Sequence, residues 1–124
     1  MLALDQDSYG IQTFDTRCAS DNRGSFCKWF ETRTLPDFHV RQMNFVVTSE
    51  ALVLRGLHYQ QPHPEAKLFR VLRGAMQLAM VRVQGREDGD FAVRELVLDN
   101  PNRAVLVPRG FATGYLTLLP DTQV

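Results

Sequence analysis

Apolar positions along this chain fall in short runs broken by Gly, Pro, Asn and Asp, and no segment sustains a capped helical period. The pattern predicts strands over 11–17, 25–33, 41–48, 51–60, 67–72, 75–83, 91–98, 103–107 and 111–119. Turn signals separate them: Asp21-Asn22-Arg23-Gly24, Pro62-His63-Pro64, Arg73-Gly74, Gly85–Asp90, Asp99-Asn100-Pro101-Asn102 and Pro108-Arg109-Gly110. Within 75–83, Met76, Leu78 and Met80 alternate with Gln77, Ala79 and Val81. Both sets are fairly apolar, which predicts a central strand. Strand alternation puts Lys67 and Phe69 on one face, with Leu68 and Arg70 on the other. A turn around Thr34–Phe38 is the nearest approach to a helix. Many short, evenly spaced strands imply an all-β sandwich or barrel, and a jelly roll suits this strand number.

With 124 residues the chain reads as one domain, 1–124. A core of this size has little spare stability, and association would add buried area. The early segment carries Phe14, Phe26, Trp29 and Phe30, and a homodimer is expected. Basic and acidic residues balance at 14 each, against a nucleic-acid or membrane-surface binder and compatible with a local basic pocket. No apolar run approaches transmembrane length. Met1–Gly10 carries Asp5 and Asp7 and does not read as a signal peptide. Cys18 and Cys27 are too few for a secreted disulfide scaffold; two reduced thiols in a cytoplasmic protein are expected.

Three segments carry chemistry. Leu54-Arg55-Gly56-Leu57-His58-Tyr59-Gln60 sets His58 and Gln60 on one strand face, with Gly56 allowing close approach of a neighbour. Ala66-Lys67-Leu68-Phe69-Arg70-Val71 brings in a lysine, and Val107-Pro108-Arg109-Gly110-Phe111-Ala112-Thr113-Gly114-Tyr115 a turn and strand. Taken singly, each residue has a plainer reading. His58 could be a satisfied core histidine, Lys67 a solvated strand lysine, and Arg23 part of a turn. Phe26, Trp29 and Phe30 could be core or interface, and Gln42 and Asn44 an outward polar face.

Together, these segments resemble the dTDP-4-dehydrorhamnose 3,5-epimerases. Leu54–Gln60 looks like the family's most characteristic motif and Ala66–Val71 like its lysine strand. Pro108–Tyr115 resembles its Pro-x-Gly-Phe-Ala-His-Gly-Phe stretch, with Thr113 at the His. Upstream, Asp21-Asn22-Arg23-Gly24-Ser25-Phe26 is similar to Asp-x-Arg-Gly-x-Phe, and Gln42-x-Asn44 to its Gln-x-Asn pair. The matches run in order from about residue 21 to 118, and an ordered set is far more specific than any one motif.

The resemblance implies a cupin jelly roll and a cofactor-independent isomerase acting on a dTDP-linked 4-keto-6-deoxyhexose, as in dTDP-rhamnose or related deoxysugar biosynthesis. It also implies a homodimer paired through the early strands, with residues near Arg23 reaching the partner's pocket. His58 matches the base that removes a proton beside the keto group, and imidazole suits that task near neutral pH. Lys67 matches the cation that stabilises the resulting enolate. Arg23, Phe26, Gln42, Asn44 and Arg55 match positions that hold nucleotide diphosphate and sugar, for which arginine's planar fork is suited.

The chain departs from the family pattern at Lys28, where a Glu is usual, at Val81, where an Asp is common, and at Thr113. The family's acid Tyr lies thirteen residues beyond the His matched by Thr113, past Val124, and the carboxylate that orients the base lies further on. Two other readings therefore stand beside the epimerase: a sugar-nucleotide-binding cupin without turnover, and a ketoisomerase using the same enolate chemistry. Metal cupins place ligands where this chain has His58, Gln60, Glu65 and Thr113. One His and one carboxylate fall short of the usual three protein ligands, so no functional metal is expected.

Overall fold

The computed structural model describes residues 2–85 and 91–124, with residues 2–4 as backbone only. Twelve strands and no helix occur among the described residues: β1 Leu2–Gln6, β2 Gln12–Asp15, β3 Cys18–Asp21, β4 Gly24–Cys27, β5 Val47–Thr48, β6 Leu54–His58, β7 Lys67–Arg70, β8 Met76–Arg82, β9 Val93–Leu98, β10 Arg103–Val107, β11 Phe111–Thr117 and β12 Thr122–Gln123. One sheet runs β1-β2-β10-β7 and a second β6-β11-β8-β9; two small sheets pair β12 with β5 and β3 with β4. This is the all-β jelly roll that the strand pattern and the resemblance imply. The expected turn at 85–90 lies, beyond Gly85, outside the described residues.

The core lies between the two larger sheets. Val105 and Val107 of β10 meet Met76, Leu78 and Met80 of β8, with Phe111 and Tyr115 of β11. Central β8 inserts its three methyl- and thioether-bearing side chains inward, as their alternation predicts. The other face of the first sheet is also covered. Phe14, Leu35 and Ala104 are buried there beneath Phe30, Phe38 and Leu106. Phe14 is 1% exposed, so it serves the core and not an interface between copies.

Several expected strands are shorter. The 25–33 run pairs only through Cys27, and the 41–48 run only at Val47–Thr48. The stretch around Thr34–Phe38 forms two hydrogen-bonded turns, with Thr34 N–H donating to Glu31 O and Phe38 N–H to Leu35 O. β1, β3 and β12 were not foreseen. In β3 and β4 nearly every residue is exposed, so neither carries an inside–outside alternation.

One chemical expectation is overturned. Cys18 and Cys27 are joined as a disulfide, not held as two free thiols. The register of the β3–β4 hairpin is the cause: Cys18 sits directly opposite Cys27, with Cα atoms 4.2 Å apart. That is the separation of a non-hydrogen-bonded antiparallel pair, where side chains are closest.

Arg70 fastens the hairpin's root. Its guanidinium donates to Thr16 Oγ1 at 2.8 Å, to the Trp29 carbonyl at 3.1 Å and to the Pro101 carbonyl. Burial lowers its pKa, while the three acceptors take up part of its donor set.

Candidate functional site

Lys67 opens β7 and His58 closes β6, strands that lie in opposing sheets. They meet through β11. Lys67 faces the sandwich interior along with Phe69, and its Nζ donates to Thr113 Oγ1 at 3.5 Å. Thr113 in turn is the register partner of His58. Directly opposed residues of an antiparallel pair project to the same face, so His58 and Thr113 share the side that Lys67 approaches. Thr113 is 3% exposed, whereas His58 lies open on the sheet's edge strand. His58 and Lys67 thus flank one buried hydroxyl between the two sheets.

A bulge brings Arg55 to this face as well. Residues 55 and 58 would point to opposite faces of a regular strand. Here the register slips: Thr113 opposes His58 but Tyr115 opposes Arg55, so β6 spends one more residue than β11 across the stretch. The slip occurs at Gly56, whose φ is +99° and where a Cβ would lie 2.7 Å from the Thr113 carbonyl oxygen. Only glycine tolerates both conditions. Arg55 is then tied to β5, its Nε donating to Thr48 Oγ1 at 3.0 Å.

Gln60 and Glu65 bracket the turn between β6 and β7. With its amide nitrogen toward Glu65, Gln60 donates to both carboxylate oxygens at 3.1 Å. Among the described residues, no group of three or more His, Cys, Asp or Glu is arranged to hold a metal ion.

The remaining candidates stand apart. Gln42 and Asn44 are exposed on the segment leading to β5 and bond each other, Nε2 to Oδ1, at 2.9 Å. Arg23 and Phe26 ride on the β3–β4 hairpin, a sheet of its own. At its tip Arg23 Nε donates to Asp21 Oδ2 at 3.0 Å, which holds the Asp21 carboxyl below the usual carboxylate range and raises Arg23. Phe26 is 73% exposed. Among the described residues no recorded hydrogen bond joins this hairpin to His58 or Lys67.

Tyr115 lies in the core with its hydroxyl buried and without a hydrogen-bond partner, and burial raises its pKa against the opposing pull of Arg55. A phenol in such surroundings keeps its proton. Tyr59, between His58 and Gln60, also has a buried hydroxyl without a hydrogen-bond partner. Thr113 was noted only as a departure from a motif; its bond to Lys67 depends on the packing of two sheets and has no local sequence signal.

A family model described as dTDP-4-dehydrorhamnose 3,5-epimerase matches residues 7–124, nearly the whole chain. The chain belongs to the dTDP-4-dehydrorhamnose 3,5-epimerase family. An epimerase of that name from Sinorhizobium fredii is 36% identical over 122 residues, covering 92% of this chain and 62% of the relative. The Bacillus anthracis epimerase, solved with TDP and pyrophosphate bound, superposes with a TM-score of 0.86 at 29% identity, covering 98% of this chain and 73% of that one. A 3'-monoepimerase from Streptomyces bikiniensis, in complex with dTDP-quinovose, has a TM-score of 0.79 at 27% identity, covering 97% and 64%. The chain spans about three fifths of the length of the curated epimerases it matches: 59%, 62% and 60% of three of them.

Proposed function

We propose that this chain forms a single cupin domain that epimerises a dTDP-linked 4-keto-6-deoxyhexose without a cofactor. The observation that carries the reading is the convergence of His58 and Lys67 on Thr113. His58 takes a proton from a carbon beside the keto group, and the C–H electron pair moves to make an enolate. Negative charge collects on the former keto oxygen, where the Lys67 ammonium stabilises it. Reprotonation from the opposite face inverts the carbon. Arg23, Phe26, Gln42, Asn44 and Arg55 hold the diphosphate and sugar, Arg23 and Phe26 by reaching across to the partner in a homodimer. Support for pairing comes from the uncovered apolar side chains Phe26, Met43, Phe45 and Leu54, each more than half exposed. The protein works in the cytoplasm, consistent with a nucleotide-sugar substrate.

Incubation in deuterated water tests this. Deuterium is expected at a carbon next to the keto group, lost in His58→Asn while dTDP binding persists. Binding of dTDP without any deuterium incorporation by the unaltered chain would refute the reading in favour of a binding module, which Thr113 in place of the family's His favours. Movement of the keto group in the product would point instead to a ketoisomerase.

A further inference from the structure

We propose that the Cys18–Cys27 disulfide is a reversible thiol–disulfide exchange site that sets the order of the β3–β4 arm, and through it the affinity for a diphosphate-bearing ligand. The reactant is a dithiol, either a small molecule or a protein. Two electrons and two protons pass from it to Cys18 and Cys27: their S–S bond opens to two thiols while the dithiol closes to its own disulfide.

Three observations carry this. Within one chain the arm has little else to hold it, since among the described residues β3 and β4 pair only with each other and Ala19, Ser20, Ser25 and Phe26 are all exposed. An isolated two-stranded hairpin is marginal in water, so the cross-link at its base is a main constraint on the tip. The two cysteines are themselves only half-buried, at intermediate exposure, within reach of an exchanging thiolate. The reduced form also has a partner ready: Cys18 Sγ lies 2.9 Å from Asn102 Oδ1, an acceptor for a thiol hydrogen that the disulfide lacks. Below the cross-link, Arg70 holds Thr16 and the Trp29 carbonyl through bonds that involve neither sulfur. Reduction therefore frees the arm between two fixed roots without releasing the sandwich.

The ligand half of the inference rests on the function proposed above; the arm half does not. The full chain is compared oxidised and after a dithiol, by amide hydrogen exchange and by calorimetry with dTDP. On reduction, amides of residues 19–26 are expected to exchange about tenfold faster with β7, β8 and β11 unchanged. The dTDP dissociation constant should rise about five- to tenfold, and reoxidation should restore both. The Cys18→Ser/Cys27→Ser double variant should behave as reduced protein whatever the redox state. Equal arm exchange in the two states overturns the proposal, as does equal affinity, or protection lost throughout the chain. If neither state binds dTDP, the proposed function fails, and arm exchange alone decides for or against the switch.

Discussion

Lys67 Nζ reaches across the sandwich to Thr113 Oγ1, and Thr113 stands directly opposite His58. The hydroxyl therefore orients the proposed enolate-stabilising cation toward the face the proposed base shares. Thr113→Val keeps the shape and removes the acceptor. Its deuterium incorporation should fall about tenfold, the worth of one hydrogen bond to a charged group, while Thr113→Ser stays near the unaltered rate. Equal rates in the Val and Ser variants would exclude a positioning role.

Lys67→Ala should suppress the exchange more severely, by about a hundred- to a thousandfold, as removal of a principal electrostatic donor does. Affinity for dTDP should change little, because the ammonium is proposed to serve the sugar end. A matching loss of dTDP affinity would place Lys67 at the diphosphate instead.

Gly56→Ala should destabilise the fold by about 2–4 kcal/mol, combining a left-handed backbone with overpacking. The new Cβ would meet the Thr113 carbonyl oxygen at 2.7 Å and Gly114 Cα at 2.8 Å, both of them backbone. Thermal unfolding gives the loss directly; a variant as stable as the unaltered chain would contradict the bulge at this position.

Tyr115 yields a pH prediction. Its pKa is raised in the folded chain, chiefly by burial, from an ordinary value of 10.0. Its contribution to stability is complete below about pH 10, where the unfolded phenol titrates, and is lost as pH rises through the higher folded value. Tyr115→Phe should remove this part of the alkaline loss and leave stability at pH 7 unchanged or slightly improved, since the buried hydroxyl has no recorded partner. Denaturant melts at pH 8 and above pH 10 on both proteins measure it.

Chelation should leave ligand binding and any deuterium incorporation unchanged, because Gln60 and Thr113 stand where metal cupins carry imidazoles. A tightly held transition metal in stoichiometric amount, with activity lost on its removal, would contradict this.

Sedimentation across a micromolar concentration series should show a dimer. A monomer throughout would remove the route by which Arg23 is proposed to reach a partner's pocket.

Strands with one buried face were legible in the sequence, because burial imposes a period of two. β7 keeps that period: Phe69 turns into the core between the two larger sheets while Leu68 and Arg70 turn to the sheet's other face, which is covered in its turn. β3 was missed because Ala19, Ser20 and Asp21 are exposed on both faces and nothing selects their residue types. The site divides along the same line. His58, Lys67 and Arg55 were found through local motifs. Their meeting at Thr113, and the slip that turns Arg55 to His58's side, depend on inter-strand register, which no local pattern records. The Cys18–Cys27 bond was misjudged for the same reason: sequence separation and composition say nothing of which residues a hairpin sets opposite one another.

The guanidinium of Arg70 gathers acceptors that lie 54, 41 and 31 residues away along the chain. Thr16 follows β2 and Arg70 ends β7, strands brought together only through β10 between them, so this contact forms after those pairings and belongs late in assembly. A molecule can thus have that sheet built while the arm's root is still unset. Substituting Arg70 with methionine should accordingly hasten unfolding far more than it slows folding, the kinetic mark of an interaction absent from the transition state.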